Sequence, residues 1–100
     1  MRARPRFGRL NVKDMPRISQ FYGISIRMYY NDHAPPHFHA EYAEDEAVFT
    51  IDDLQVLHGE VPRRVHALVV EWALLHLDEL VANWDLARRG VPLQGIGPLE

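Results

Sequence analysis

The most restrictive feature of this chain is an alternation of apolar and polar residues that runs through its first half. The apolar face of the first alternating stretch carries Tyr22, Ile24, Ile26, Met28 and Tyr30. In a β-strand, successive side chains point to opposite faces, so a period of two indicates a half-buried strand. The pattern therefore predicts that the first half of the chain forms a sheet with one face in the core.

Turn-forming residues divide this half of the chain into four predicted strands. Asn and Asp favour turns, and consecutive prolines cannot continue a strand ladder. The predicted strands cover residues 22–30, 37–42, 47–51 and 54–58, and turns are expected at Asn31–Pro36, Glu44–Asp45 and Asp52–Asp53. Because each connection is only a few residues long, neighbouring strands are expected to pair antiparallel.

The second half of the chain has helical spacing. Pro62 suits the first turn of a helix, where its missing N–H costs nothing. Apolar residues from Val65 onward recur at helical intervals, and the phase of the stripe shifts near His76. Gly90 follows two arginines and suits the position just past a helix end. The spacing predicts either one kinked helix or two helices.

Together these elements predict an α+β domain with two layers. A four-stranded antiparallel β-meander is followed by a kinked helix or two helices that pack on one face of the sheet. The side chains expected between sheet and helices are Ile26, Met28, Phe38, Phe49, Leu68, Val69, Trp72 and Trp84.

Composition narrows the class of protein. The chain has 100 residues, of which 47% are hydrophobic and 25% charged, as in an ordinary globular domain. It contains no cysteine, which excludes a disulfide scaffold, a thiolate zinc site and a thiol nucleophile. No apolar run resembles a membrane span or a signal peptide, so we expect a cytoplasmic protein without membrane contact.

Charge is distributed unevenly along the chain. Residues 1–17 hold six basic residues and one acidic residue, whereas residues 18–100 hold five basic and thirteen acidic residues. Met15 resembles a natural start, so we expect residues 1–14 to be a flexible basic extension and residues 15–100 to be a single domain. Alternatively, the basic extension contacts nucleic acid or an acidic partner.

The densest group of chemically active residues follows the predicted turn at Asn31–Pro36. His37, His39 and Glu41 alternate on the strand face opposite the core, about 6.6 Å apart at each step. Two imidazoles and a carboxylate are ligands that zinc and non-haem iron use. His33, across the turn, is a candidate fourth ligand. The pattern thus predicts a divalent metal site for Zn or Fe.

The same residues allow two other interpretations. His33, His37 and His39 could act as general acid and base in RNA cleavage, with Arg27 or Lys13 holding the phosphate. Tyr29 shares the strand face of Arg27 and is expected to border such a site. The third interpretation is a solvated strand face whose histidines bond to turn backbone and have no chemical role.

Several segments resemble a small bacterial family called domain of unknown function 4160. The resemblance covers about residues 15–98. The segments that carry it are Met15–Ser19, Phe21–Ile24, Met28–His33, Pro35–His39, Gly59–Arg64, Glu71–Trp72 and Asn83–Trp84 before Arg88. The Tyr-Tyr-Asn-Asp-His and Pro-Pro-His-Phe-His segments are specific when they occur together.

The resemblance implies a protein whose biochemical activity is unknown. Members are often encoded beside a small protein of another family, domain of unknown function 2442, which implies a partner from a neighbouring gene and a toxin–antitoxin-like pair. Three hypotheses follow: such a module, which acts through protein contact and on RNA; a metal-binding protein or metal-dependent enzyme; and a purely structural interaction domain.

Overall fold

The computed structural model describes residues 15–100, and the predicted basic extension of residues 1–14 lies outside them. Five strands are followed by two helices, so the fold class is α+β. The strands are β1 (Arg17–Phe21), β2 (Ile24–Arg27), β3 (His37–Tyr42), β4 (Asp45–Thr50) and β5 (Val56–Glu60); the helices are α1 (Arg63–Leu75) and α2 (Leu77–Arg88).

The sheet is an antiparallel meander in which the strand order follows the chain, β1-β2-β3-β4-β5. The expected count of four strands is wrong by one, because a further strand, β1, precedes the turn at which the predicted first strand begins. Tyr22 and Gly23 have φ values of 48° and 79°, and they form the two-residue connection that pairs Phe21 with Ile24. A Tyr-Gly turn lacks the usual Asn-Gly signature, so the sequence pattern alone does not predict that a separate strand, β1, precedes it.

The core joins one face of the sheet to the helices. Seven of the eight predicted core residues are buried, and Leu68 is only partly buried at the edge of the cluster. Trp72 is fully buried and packs against Phe21 and Phe38, with ring centroids 5.4 and 5.9 Å away. This packing occupies one face of β3 and directs His37 and His39 away from the tryptophan.

The phase shift near His76 marks a true break between helices. His76 has φ −130° and ψ 27°, which ends α1 and precedes α2. Gly90 lies just past α2 with φ 71°, the left-handed conformation that commonly ends a helix. Within residues 15–100, neither helix has the combination of length and apolar character needed to cross a membrane.

The two edges of the sheet have different surroundings. At β1, the C-terminal tail pairs with the strand, since the Ile96 N–H donates to the Ile18 carbonyl over 2.7 Å. Trp72 Nε1 anchors the tail by donating to the Gly97 carbonyl over 2.8 Å. At the other edge, every residue of β5 is exposed.

Candidate metal centre

The loop between β2 and β3 returns Asp32 to the beginning of β3. Backbone bonds hold the loop at two points: the Asn31 N–H donates to Ala87 O over 3.3 Å, and the Ile51 N–H donates to Pro36 O over 3.0 Å. Asp32 Oδ1 accepts the N–H of His33 over 2.9 Å, which orients the carboxylate. Its second oxygen, Oδ2, is thereby left facing the two histidines of β3.

His37 has both ring nitrogens in contact with an oxygen. Nδ1 lies 2.7 Å from the Pro35 carbonyl, and Nε2 lies 2.9 Å from Asp32 Oδ2. A carbonyl oxygen only accepts, so Nδ1 carries the hydrogen, and in the neutral ring Nε2 carries the lone pair. The ring packs 5.1 Å from that of Trp84, and its side chain is 10% exposed.

His39 repeats this arrangement with a carboxylate in place of the carbonyl. Nδ1 lies 2.7 Å from Glu46 Oε2 across the β3–β4 hairpin. Nε2 lies 3.6 Å from Asp32 Oδ2; it is buried and has no hydrogen-bond partner among residues 15–100. The ring stacks on Tyr29 at 4.4 Å, with 20° between the planes. The His39 ring is thus fixed by Glu46 at Nδ1 and by Tyr29 on its face, and its Nε2 points toward Asp32.

Asp32, His37 and His39 therefore converge, with one ligand atom from each lying within 4.8 Å of the others. Burial opposes ionisation of Asp32. Hydrogen bonds from the His33 N–H and from the His37 ring in its protonated form, together with the positive charges of protonated His37 and His39, outweigh burial and lower the pKa of Asp32 below 3.8. The carboxylate is therefore ionised at neutral pH and available to a cation.

The structure brings together only part of the predicted metal-ligand set. Glu41 belongs to a different contact, since its Oε1 accepts from Arg27 Nε over 3.1 Å. His33 contributes its backbone N–H to Asp32 and lies outside the converging group found among residues 15–100. Of the four predicted ligands, His37 and His39 meet, and Asp32 supplies the carboxylate.

Of the two predicted phosphate-binding residues, Arg27 has other partners. Arg27 donates from Nε to Glu41 and from Nη1 to the Met15 carbonyl over 2.9 Å. Lys13 lies outside the described residues. Tyr29 borders the site as expected. Burial, followed by the nearby carboxylates of Glu46, Glu41 and Asp32, raises its pKa above 10.0, so the phenol is neutral at physiological pH.

Two residues of the site were missed by sequence reasoning, Asp32 and Glu46. Asp32 was assigned to the turn before β3, where Asp is common for local reasons. Glu46 depends on hairpin register, because His39 lies opposite Val48, two residues further along β4. The predicted turn at Glu44–Asp45 is displaced by one residue, since Tyr42 pairs with Asp45 and Ala43 and Glu44 connect the strands. The corrected register places Glu46 diagonally across from His39.

Comparison with known proteins gives a family but no activity. A family model described as Domain of unknown function (DUF4160) matches residues 23–85, which include every residue of the converging group. No curated protein and no solved structure matches the chain. The resemblance seen in the Tyr-Tyr-Asn-Asp-His and Pro-Pro-His-Phe-His segments is confirmed, over a shorter stretch than residues 15–98. The chain belongs to the family Domain of unknown function (DUF4160).

Proposed function

We propose that this protein binds a divalent metal ion, zinc or iron, through Asp32 Oδ2 and the Nε2 atoms of His37 and His39. The observation that carries the proposal is the position of the two Nδ1 atoms, each of which lies beside an oxygen acceptor. Both Nδ1 atoms face an oxygen acceptor, Pro35 O and Glu46 Oε2 respectively, each at 2.7 Å. Metal-bound histidines normally donate their other N–H to a carbonyl or carboxylate in this way.

A cation between the three ligand atoms resolves an electrostatic conflict. With the hydrogen on Nδ1, the Nε2 lone pair of neutral His37 faces the Asp32 carboxylate at 2.9 Å, and two acceptors at that distance repel. The buried Nε2 of His39 points at the same oxygen from 3.6 Å. A metal ion or a proton bound to His37 Nε2 removes the repulsion from Asp32. A single proton there still leaves Nε2 of His39 without a partner, whereas a metal ion can bind both nitrogens.

The separations suit a small first-row metal. Zinc bonds of about 2.0–2.1 Å in a tetrahedron place ligand atoms about 3.3 Å apart. The two histidine–aspartate separations, 2.9 and 3.6 Å, lie on either side of that value. Two neutral imidazoles and one carboxylate leave a divalent site with net charge +1 and an open position for water, which is the arrangement of metal centres that act on substrates.

Metal analysis of the purified protein tests the proposal. Protein stripped with chelator is titrated with Zn(II), and anaerobically with Fe(II), in a calorimeter. We expect one ion per chain and loss of binding in Asp32→Asn, which preserves the Oδ1 acceptor for the His33 N–H. His33→Ala and Glu41→Gln are matched controls that should bind as wild type. Binding that survives Asp32→Asn and His39→Gln, or no binding by wild type, contradicts the proposal.

The acid–base alternative uses the same side chains with a proton in place of the metal. It predicts RNA cleavage that is lost in His37→Ala with His39→Ala and is insensitive to chelator. The partner from a neighbouring gene, the toxin–antitoxin-like role and a cytoplasmic location also stay predictions, because the matched family is described without an activity. Co-purification with the neighbouring gene product tests the first of these.

A further inference from the structure

The helical side of the domain exposes apolar residues where α1 meets α2. Leu74 and Leu75 end α1 with 60% and 68% of their surface exposed, and Val81, one turn into α2, is 56% exposed. A shallow cleft of about 400 Å³ lies at the junction, lined by Leu74, Leu75, His76, Leu77, Asp78 and Glu79. Large side chains this exposed near a cleft mark a surface suited to binding a partner.

The Asp, Glu, Lys and Arg residues of the two helix segments that meet at this junction are all acidic. Residues 65–87 contain no Lys or Arg, and their four acidic residues, Glu71, Asp78, Glu79 and Asp85, are all exposed. Glu79 contacts His76, and Asp85 contacts Arg89 at the far end of α2. Among residues 15–100, neither Glu71 nor Asp78 forms an ion pair. The apolar junction thus lies between acidic groups whose charge is not neutralised locally.

We propose that the α1–α2 junction binds a cationic amphipathic helix of a partner protein. Apolar side chains of such a helix, spaced at i, i+3 and i+4, would cover Leu74, Leu75 and Val81, and its flanking Lys or Arg residues would approach Glu71 and Asp78. A second copy of this junction would bring like charges together, and nucleic acid or an anionic membrane would bring phosphate to carboxylate. Charge therefore favours a basic protein segment over these occupants.

The surface shares no residue with the proposed metal centre. The proposed metal ligands lie on the loop after β2 and on β3, whereas this surface lies on the helices. Binding of a helix at the junction can therefore be tested in metal-free protein, and loss of either activity does not imply loss of the other.

A fluorescent peptide of about 18 residues tests the proposal, with Leu at helical spacing on one face and Lys on the other. We expect saturable binding by fluorescence anisotropy, weakening as salt rises from about 0.05 M to about 0.5 M. Two control peptides, one of the same composition with scrambled order and one with Glu in place of Lys, should bind at least about tenfold more weakly. Equal binding of the scrambled peptide would show nonspecific attraction and overturn the proposal.

Substitutions locate the binding surface. Leu75→Ser with Val81→Ser, and separately Glu71→Gln with Asp78→Asn, should each weaken binding about tenfold or more. Leu57→Ser and Glu60→Gln change the same residue types on the exposed strand β5 and should have no effect. Wild-type affinity in both junction variants, or self-association that Leu75→Ser removes, would overturn the proposal. Circular dichroism confirms that each variant is folded.

Discussion

His39 and Glu46 contact each other diagonally across the β3–β4 hairpin, with Nδ1 2.7 Å from Oε2. The contact fixes the ring so that Nε2 faces Asp32, and Tyr29 stacks on the same ring at 4.4 Å. Glu46, which lies outside the converging group of Asp32, His37 and His39, thus orients one of the proposed ligands.

We expect Glu46→Gln to weaken Zn(II) binding about tenfold and Glu46→Ala about a hundredfold, because an outer carboxylate orients the imidazole and raises its basicity. Glu44→Gln, on the hairpin turn, is the matched control and should bind as wild type. Titration calorimetry measures all three variants. Unchanged affinity in Glu46→Ala would show that the diagonal contact has no part in ligand orientation.

Trp72 is fully buried and donates to the Gly97 carbonyl, so it links the core to the C-terminal tail. Trp72→Ala should lower the free energy of unfolding by about 3–5 kcal/mol, which is most of the stability of a small domain. Trp72→Phe keeps most of the ring volume but loses the donor, so its loss should be smaller. Urea denaturation followed by far-UV circular dichroism gives both values; a loss below about 1 kcal/mol for Trp72→Ala would contradict the packing described.

Gly59 allows β5 to approach β4 at Glu46. Its φ is +75°, and a Cβ there would clash with the backbone carbonyl oxygen of Glu46. Gly59→Ala should therefore destabilise the domain by more than about 1 kcal/mol, since both conformation and space oppose it.

Two other glycines distinguish the conformational cost of a positive φ from the steric cost of a Cβ. Gly90 has φ +71° with open space around it, so Gly90→Ala reports the conformational cost alone. Gly95 has neither restriction, and Gly95→Ala should be close to neutral. The order of destabilisation, Gly59 first and Gly95 last, is measured by denaturant titration, and any other order would contradict the steric explanation.

Tyr29 should make stability depend on pH in the alkaline range. Burial and neighbouring carboxylates raise its pKa above 10.0 in the folded chain, so the unfolded chain loses the phenolic proton first. The free energy of unfolding should therefore fall as pH rises from 10.0 through the folded pKa, while below 10.0 the contribution is fully present. Tyr29→Phe should remove this component, and Tyr22→Phe should retain it. If the free energy of unfolding fell equally steeply with pH in the two variants between about pH 9 and pH 11, its pH dependence could not be assigned to Tyr29.

Residue periodicity was enough to predict the α+β class, β3, the helical second half and a kink or break near His76, because these features depend on local spacing. The structure decides in favour of two helices. The extra strand was not predictable because a Tyr-Gly turn has no strong signature and β1, which has a register shift between Arg17 and Ser19, does not alternate regularly. The shared face of His37 and His39 was predictable from their spacing.

The role of Asp32 was not predictable in this way. A loop whose path depends on contacts with Ala87 and Ile51 brings it to the histidines. Glu46 required the hairpin register to one residue, and Glu41, on the expected face, pairs with Arg27 instead.

The meander order has a consequence for the folding pathway. Each strand pairs with the next one in the chain, so β1 to β5 assemble by closing short loops. Contacts between residues close in sequence form quickly. The tail contact differs, because Ser19 and Gly97, which bond across the β1 edge, are 78 residues apart. Long closures cost more chain entropy, so the tail should dock after the hairpins have formed. Nascent chains would therefore expose both sheet edges until residues 96–97 are available to cover β1.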